Sequence, residues 1–454
     1  MTDPRGRGEV AASTVAGPRA EAGSLWSDGL LAGIDPVALA GTYGTPLYVY
    51  DLALVAARIA ALRGALPPSC DVAYAVKANP SLAVITTIAQ AGVGCDVSSL
   101  GELEAVRRAG VEMRRVVVTG PGKRDELLEA AVALGAQTVV VESPGELERL
   151  ERASARAGRV TSVLFRLPAH EGQTFGMAWD DAVRSGRRAA ASSWLDPLGV
   201  HAFGVSAERD HRVLLDHVSR TVERGRRLAA EAGFALRLVD VGGGFGIPYA
   251  EGEPPLDLQA LGEGLAALHA EWGAGAASGL RVLFEPGRFL VGPAGAYVAR
   301  VVDVKRLDGR IVATVDGGIN HLLAPALVGR RHRLRLVAPG GAAERPFVAA
   351  TIVGPLCTGL DVLARPDAFP EPRPGDLLVA LDAGAYGFTQ SMPWFLSQLG
   401  AAEVAVLDGR AWLARPRLDS SAVLDVQAAR AVVPSTRTPS AVLDAPGTVQ
   451  PAGK

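Results

Sequence analysis

Between residues 70 and 290 one pattern recurs eight times: a short apolar run, then a longer segment whose apolar residues fall at helical spacing. The runs are "VAYAV", "VGCDV", "RVVVTG", "TVVVES", "SVLFRL", "GVHAFGV", "LRLVDVGGG" and "RVLFEPG". Each is too short for a helix and too continuously apolar for a strand with one wet face, so each reads as a strand buried on both faces. Segments such as "GELEAVRRAG" and "RDELLEAAVALG" supply the helices between them. Eight strand–helix units spell a parallel (β/α)8 barrel, in which residues at the C-terminal strand ends converge on one face. From about residue 296 the texture changes to "AYVARVVDV", "RIVATVD", "FVAATIVG" and "DLLVALD", separated by Gly/Pro turns, which predicts a β-sandwich or barrel domain. The division expected is a flexible tail at 1–24, a strand at 25–50 that joins the β domain, a barrel at 51–295, a β domain at 296–427 and a second tail at 428–454.

The 454 residues exceed one ordinary domain, and a hydrophobic content of 48% is ample for a large core. A net charge of −2 with no Lys/Arg-rich block gives no reason to expect nucleic acid or an anionic membrane as partner. Three cysteines, Cys70, Cys95 and Cys357, are too widely spaced for a metal cluster and odd in number for a disulfide set. No secretion signal and no apolar stretch of membrane-spanning length is evident. The expectation is a cytoplasmic protein with a small-molecule substrate and no metal.

The chemistry-bearing residues fall at strand ends. Lys77 follows "VAYAV" and precedes the Asn79–Pro80 stop, where apolar neighbours would lower its pKa toward a nucleophilic amine able to form a Schiff base. A strand-end lysine also commonly snorkels to solvent. The three glycines of "DVGGGFG", Gly242, Gly243 and Gly244, let backbone N–H groups approach an anion such as phosphate, although a tight turn alone uses the same residues. "FEPGR" sets Glu285 and Arg288 either side of a Pro–Gly turn, and a surface ion pair is the plainer reading. Cys357 and Tyr386 lie on glycine-bounded loops of the second domain.

One reading joins these stretches: a Schiff-base lysine, a phosphate cradle and a carboxylate are what pyridoxal 5'-phosphate needs. "YGTPLYVYD", "YAVKANP", "CDVSSLGEL", "VESPGEL", "DVGGGFGIPY", "FEPGR", "GPLCTGLD" and "GAYG", in this order over residues 44 to 410, resemble the fold-type III pyridoxal-phosphate decarboxylases of diaminopimelate, ornithine and arginine. The resemblance implies that Lys77 holds the cofactor and that Gly242, Gly243, Gly244, Gly287, Arg288 and Ser206 surround its phosphate. It implies that Glu285 keeps the pyridine nitrogen protonated. Cys357, reaching across a head-to-tail homodimer, would reprotonate Cα, with Tyr386 near the cofactor. Alanine racemases on the same barrel place arginine against that nitrogen, so Glu285 favours loss of CO2 over reversible proton exchange.

The chain departs from the family pattern at several positions. Phe203 stands where a histidine usually stacks on the cofactor ring, Val205 replaces a glycine next to Ser206, and Thr174 replaces the lysine of a Lys-Phe-Gly triplet. Where diaminopimelate decarboxylases read Arg-Pro-Ala-x-Tyr for substrate contacts, this chain has Ala324 and Val328. Thr358 follows Cys357 where they have glutamate and ornithine decarboxylases aspartate. A neutral hydroxyl does not supply the charge-assisted bond a distal ammonium needs, worth about 1.5–3 kcal/mol. The pairing of "VDGGINH" with "GPLCT" resembles more closely the decarboxylases of secondary metabolism that act on carrier-protein-bound glutamate or siderophore precursors, which implies Arg288, Thr358 and Tyr386 as substrate contacts. The alternatives are a racemase or epimerase, a diaminopimelate decarboxylase with atypical contacts, and a non-catalytic cofactor carrier.

Overall fold

A computed structural model describes residues 10–11, 24–273, 279–340, 344–417, 421 and 424. The tails expected at 1–24 and 428–454 lie outside the described residues apart from Val10, Ala11 and Ser24.

Eight parallel strands close into a barrel: β1 (Cys70–Ala75), β2 (Gly94–Val97), β3 (Val116–Val118), β4 (Thr138–Val141), β5 (Thr161–Arg166), β6 (Leu195–His201), β7 (Leu238–Asp240) and β8 (Arg281–Phe284). The ring shuts where Phe284 of β8 pairs with Val72 of β1. Its interior holds Ala73, Val117, Val140, Leu164, Leu238 and Leu283, inward residues packed as one cluster. The centre is therefore filled, and any ligand space lies at the rims.

The helices that follow β2 and β4 start at the quoted motifs. Ser99 accepts from the Glu102 N–H and Ser143 from the Glu146 N–H, both at 3.1 Å, the capping geometry of Ser-x-x-Glu. The Glu102 carboxylate reaches back past the cap and accepts from the Ser98 N–H at 2.7 Å. Glu146 instead takes the Lys123 ammonium at 2.6 Å, and the two side chains are 3% and 0% exposed. Removing one partner leaves a buried charge. Glu146→Gln is expected to cost about 3–5 kcal/mol, read as a lower denaturant midpoint at unchanged slope, and a Lys123→Met/Glu146→Leu pair to recover most of it.

The β domain is built on the 13-residue strand Gly295–Leu307, whose register shifts between Val301 and Asp303. Its first half lies between Leu47–Asp51 and Leu377–Ala380, and its second half pairs with Arg310–Val315, so one bent strand serves both layers. The early strand Leu47–Asp51 also pairs in parallel with Ala402–Leu407, bringing both ends of the described chain into one sheet. No helix among the described residues is long and apolar enough to cross a membrane.

Candidate active site

Lys77 sits in a single 3-10 turn, Val76–Ala78, directly after β1. The Asn79–Pro80 stop fixes that turn from both sides. The Tyr74 hydroxyl donates to the Asn79 carbonyl at 2.9 Å, the Asn79 amide donates to the Gly384 carbonyl at 2.9 Å, and the Tyr386 N–H donates to the Ala78 carbonyl at 2.7 Å. The second domain's "DAGAYG" loop is thereby bound to the lysine turn, with Tyr386 at φ 54°, a left-handed conformation unusual for a side chain this large. Both residues line a cavity of about 290 Å³ at the C-terminal rim of the barrel.

The lysine is not the free amine that apolar surroundings would give. Its side chain is 47% accessible, onto the cavity, and Nζ donates to Asp96 Oδ2 at 2.6 Å. Burial pushes the ammonium toward neutrality, but the carboxylates of Asp96 and Glu285 outweigh it and hold the lysine pKa above its ordinary value. Asp96 is itself fully buried at the end of β2, where it also accepts from the Thr119 hydroxyl. Neither Asp96 nor Thr119 stands out in the sequence. An acid ending an apolar barrel strand, "GCDV", is the signal that would find Asp96.

The glycine turn follows β7. Gly242 and Gly244 adopt φ of 66° and 91°, and the Gly242 N–H donates to Asp240 Oδ1 at 2.9 Å. A Cβ at 243 would overlap the Glu285 carbonyl oxygen, so that approach needs glycine. Gly243 and Gly244 line the cavity with Ser206, whereas Gly242 packs beneath the Phe203 ring. Phe203 also lines the cavity, at the position the resemblance gives to a stacking residue.

Glu285 closes the floor, 5% exposed. Its Oε2 lies 3.6 Å from His201 Nε2, while Oε1 has no hydrogen-bond partner among the described residues. Buried Asp240 lies beside it, and one oxygen or nitrogen from each of His201, Asp240 and Glu285 falls within 4.8 Å of the others. Burial opposes ionisation of both acids. For Glu285 the neighbouring His201, Lys77 and Asp240 prevail and hold its carboxyl below the usual range. Asp240, pressed by burial and by the Glu285 charge, is held well above it. Two acids thus share one negative charge, which rests on Glu285. Gly287 and Arg288 line the adjoining wall, and the Arg288 guanidinium lies 4.8 Å from the Tyr386 ring centre.

Cys357 and Thr358 do not line this cavity within one chain. Cys357 is exposed, and the Thr358 hydroxyl accepts from the Leu360 N–H at 3.3 Å.

The pyridoxal-binding domain model of pyridoxal-dependent decarboxylases matches residues 52–292, which span the barrel and every cavity residue except Tyr386. The chain belongs to this decarboxylase family. It is 35% identical to a diaminopimelate decarboxylase of Pseudomonas aeruginosa over 82% of this chain and 89% of that one. It is 29% identical to the L-glutamyl-[BtrI acyl-carrier protein] decarboxylase of Niallia circulans over 82% and 91%. The structure of the Helicobacter pylori diaminopimelate decarboxylase complexed with L-lysine matches with a TM-score of 0.78 at 26% identity, covering 86% of this chain and 98% of that one. The protein is a pyridoxal-phosphate-dependent amino-acid decarboxylase on a barrel-plus-β-domain scaffold.

The cavity of this decarboxylase fits the cofactor on its own chemistry. Glu285 Oε1 is a buried acceptor without a hydrogen-bond partner among the described residues, on a side chain that lines the cavity and could take a pyridinium N–H. Gly243 and Gly244 form a cradle that a side chain would fill, and Lys77 supplies the amine.

Proposed function

We propose that this decarboxylase removes the α-carboxylate of an amino acid whose side chain is modified or carrier-bound, such as a carrier-protein-bound glutamate or a siderophore precursor, rather than free diaminopimelate or ornithine. One observation carries the substrate reading: the positions where a distal ammonium would be met are neutral. Thr358 has no charge, Ala324 is buried, and Val328 is 61% exposed with nothing polar to offer.

In this reading Lys77 binds the cofactor, and the bound cofactor supplies an electron sink for the bond broken at Cα. Glu285 holds a proton on the ring nitrogen, Phe203 stacks against the ring, and Gly243, Gly244, Gly287, Ser206 and Arg288 surround the phosphate, while Gly242, its N–H engaged by Asp240, supports the turn from beneath Phe203. Tyr386 and Arg288 orient the substrate, with Thr358 beside its distal end. Cys357 delivers the proton to Cα from a second copy of the chain. Its exposure supports a shared site in a homodimer, as do the exposed second-domain residues Val328, Leu360 and Trp394, at 61%, 67% and 56%.

The test is CO2 release by the cofactor-loaded protein from free meso-diaminopimelate, ornithine, carrier-bound glutamate and citryl-diamino acid conjugates. Release from a conjugate with kcat/KM at least about 100-fold above free diaminopimelate is the expected result, the difference one mismatched charged contact makes. Equal or better turnover of free diaminopimelate sinks the substrate assignment and leaves an atypical diaminopimelate decarboxylase. Scrambling at Cα without CO2 would point to a racemase.

A further inference from the structure

Two loops of the β domain close on one buried carboxylate. The strands Arg310–Val315 and Ala350–Val353 run parallel, with Thr314 opposite Val353. The segments that follow them, "DGGINH" at 316–321 and "GPLCTGLD" at 354–361, therefore leave the sheet side by side. The second turns back into the strand Val362–Ala364, and the Gly354 N–H donates to the Asp361 carbonyl at 3.2 Å across its neck. Asp361 is 2% exposed. Its Oδ1 accepts from the Ile319 N–H and its Oδ2 from the Leu356 N–H, both at 2.8 Å.

The backbone is shaped around this side chain. A Cβ at Gly318 or at Gly354 would overlap the Asp361 carboxylate, and one at Gly354 would also strike the Gly318 backbone, so both loops need glycine to close on it. Bonds from N–H groups to an ionised carboxylate are strong, and burying the charge without them would be costly. Asp361 also grips the loop on both sides of Cys357. Its carboxylate holds the N–H of Leu356, and its own N–H donates to the Thr358 carbonyl at 3.2 Å. Leu356 is buried at 7%, whereas Cys357 between these two anchors is exposed.

We propose that Asp361 is a positioning residue which, through its bonds to Leu356 and Ile319, sets where the Cys357 thiol stands for proton delivery to Cα. This rests on the role given to Cys357 in the proposed function. In that role the S–H bond breaks as the C–H bond forms, and the thiolate left behind is reprotonated by solvent. Such a transfer loses about 100-fold for an ångström of misplacement, and an exposed thiol on a loop needs its backbone fixed from behind.

The experiment compares wild-type, Asp361→Asn, Gly354→Ala, Cys357→Ala and Asp361→Asn/Cys357→Ala holoenzymes. Asparagine sets an amide N–H2 against a backbone N–H, and Gly354→Ala drives a methyl into the carboxylate without touching its charge. Backbone amide exchange over 316–321 and 354–361 is read without substrate. Turnover is read in D2O on whichever of meso-diaminopimelate, carrier-bound glutamate and citryl-diaminopropionate gives most CO2 with wild type, as kcat, KM and the configuration of deuterium at Cα. Asp361→Asn and Gly354→Ala are each expected to speed exchange in both segments about 10-fold or more, with the barrel unchanged. Each should lower kcat by about 10- to 100-fold at nearly constant KM, and erode the single configuration at Cα. Asp361→Asn should add little to Cys357→Ala, because the thiol it positions is gone. Unchanged exchange in both variants, or faster exchange with wild-type kcat and configuration, overturns the proposal. So do losses that multiply in the double variant, and losses that vanish at high enzyme concentration, which would place Asp361 in subunit assembly. A Cys357→Ala protein that keeps the wild-type rate and configuration removes the role of Cys357 and this inference with it, while the decarboxylase stands. Absence of CO2 from wild type on all three compounds sinks the substrate reading, and the exchange data then decide separately whether Asp361 holds the loop.

Discussion

Lys77→Ala is expected to lose kcat by roughly 10³-fold or more, together with the absorbance of the covalently held cofactor, because no other amine reaches the cavity to replace it. Among the described lining residues, Lys77 is the one lysine. The neighbouring Lys123 is buried and committed to Glu146. The charge on Lys77 adds a second, independent readout. Lys77 would hold the cofactor covalently only through its neutral amine, and Asp96 with Glu285 favours the ammonium. Below the lysine pKa the neutral fraction rises about tenfold per pH unit, so the rate of cofactor capture by the apoprotein should climb with pH at that slope. Asp96→Asn removes the nearest carboxylate, lowers the lysine pKa and should speed capture at neutral pH. An apoprotein whose capture rate is flat with pH, or a Lys77→Ala protein that keeps colour and turnover, would show that another group holds the cofactor.

The barrel is legible in the sequence because its strands are buried on both faces, which makes "VVV" and "TVVV" stand out as continuous apolar runs. Lys77 and Glu285 are legible for a related reason. Each lies where such a run is stopped, by Asn79–Pro80 and by Pro286–Gly287, and the fold turns strand ends into a cavity wall. The protonation state of Lys77 is a different matter. It is decided by Asp96, one strand over in the ring, and a pairing between residues 19 apart is set by barrel register, not by local pattern. His201 and Asp240 escape for the same reason: each is one polar residue ending an apolar run, and only closure of the barrel brings both against Glu285. The β domain is legible as strands but not as a topology. The pairing of Leu47–Asp51 with Ala402–Leu407 joins segments that no short-range signal connects. Cys357 marks another boundary: its loop is visible in the sequence, but within the chain it is exposed and does not line the cavity.

Glu285→Gln is expected to lower kcat by roughly 10²–10³-fold, the cost of removing one preorganised electrostatic partner, while leaving the cofactor bound and the fold intact. The amide keeps the shape of the side chain and its packing beside His201 and Asp240, but carries no charge to hold a proton on the ring nitrogen. Asp240 does not take over that duty. Its carboxyl is pushed up first of all by burial, which the substitution leaves in place, and its Oδ1 is already engaged by the Gly242 N–H at 2.9 Å. The effect should fall on kcat more than on KM, since the charge matters as electrons move into the ring and little when the substrate first binds. It should also appear in the pH profile. The carboxyl of Glu285 is held below the usual range by His201, Lys77 and Asp240 against the opposing effect of burial, so it remains ionised across neutral and mildly acidic pH. An acid limb in wild-type kcat therefore belongs to another group and should persist in Glu285→Gln at reduced height. If the variant kept wild-type kcat, Glu285 would not be the residue that sustains the charge on the ring; if its acid limb vanished, the limb would be the titration of Glu285 itself, and its carboxyl would not be held below the usual range.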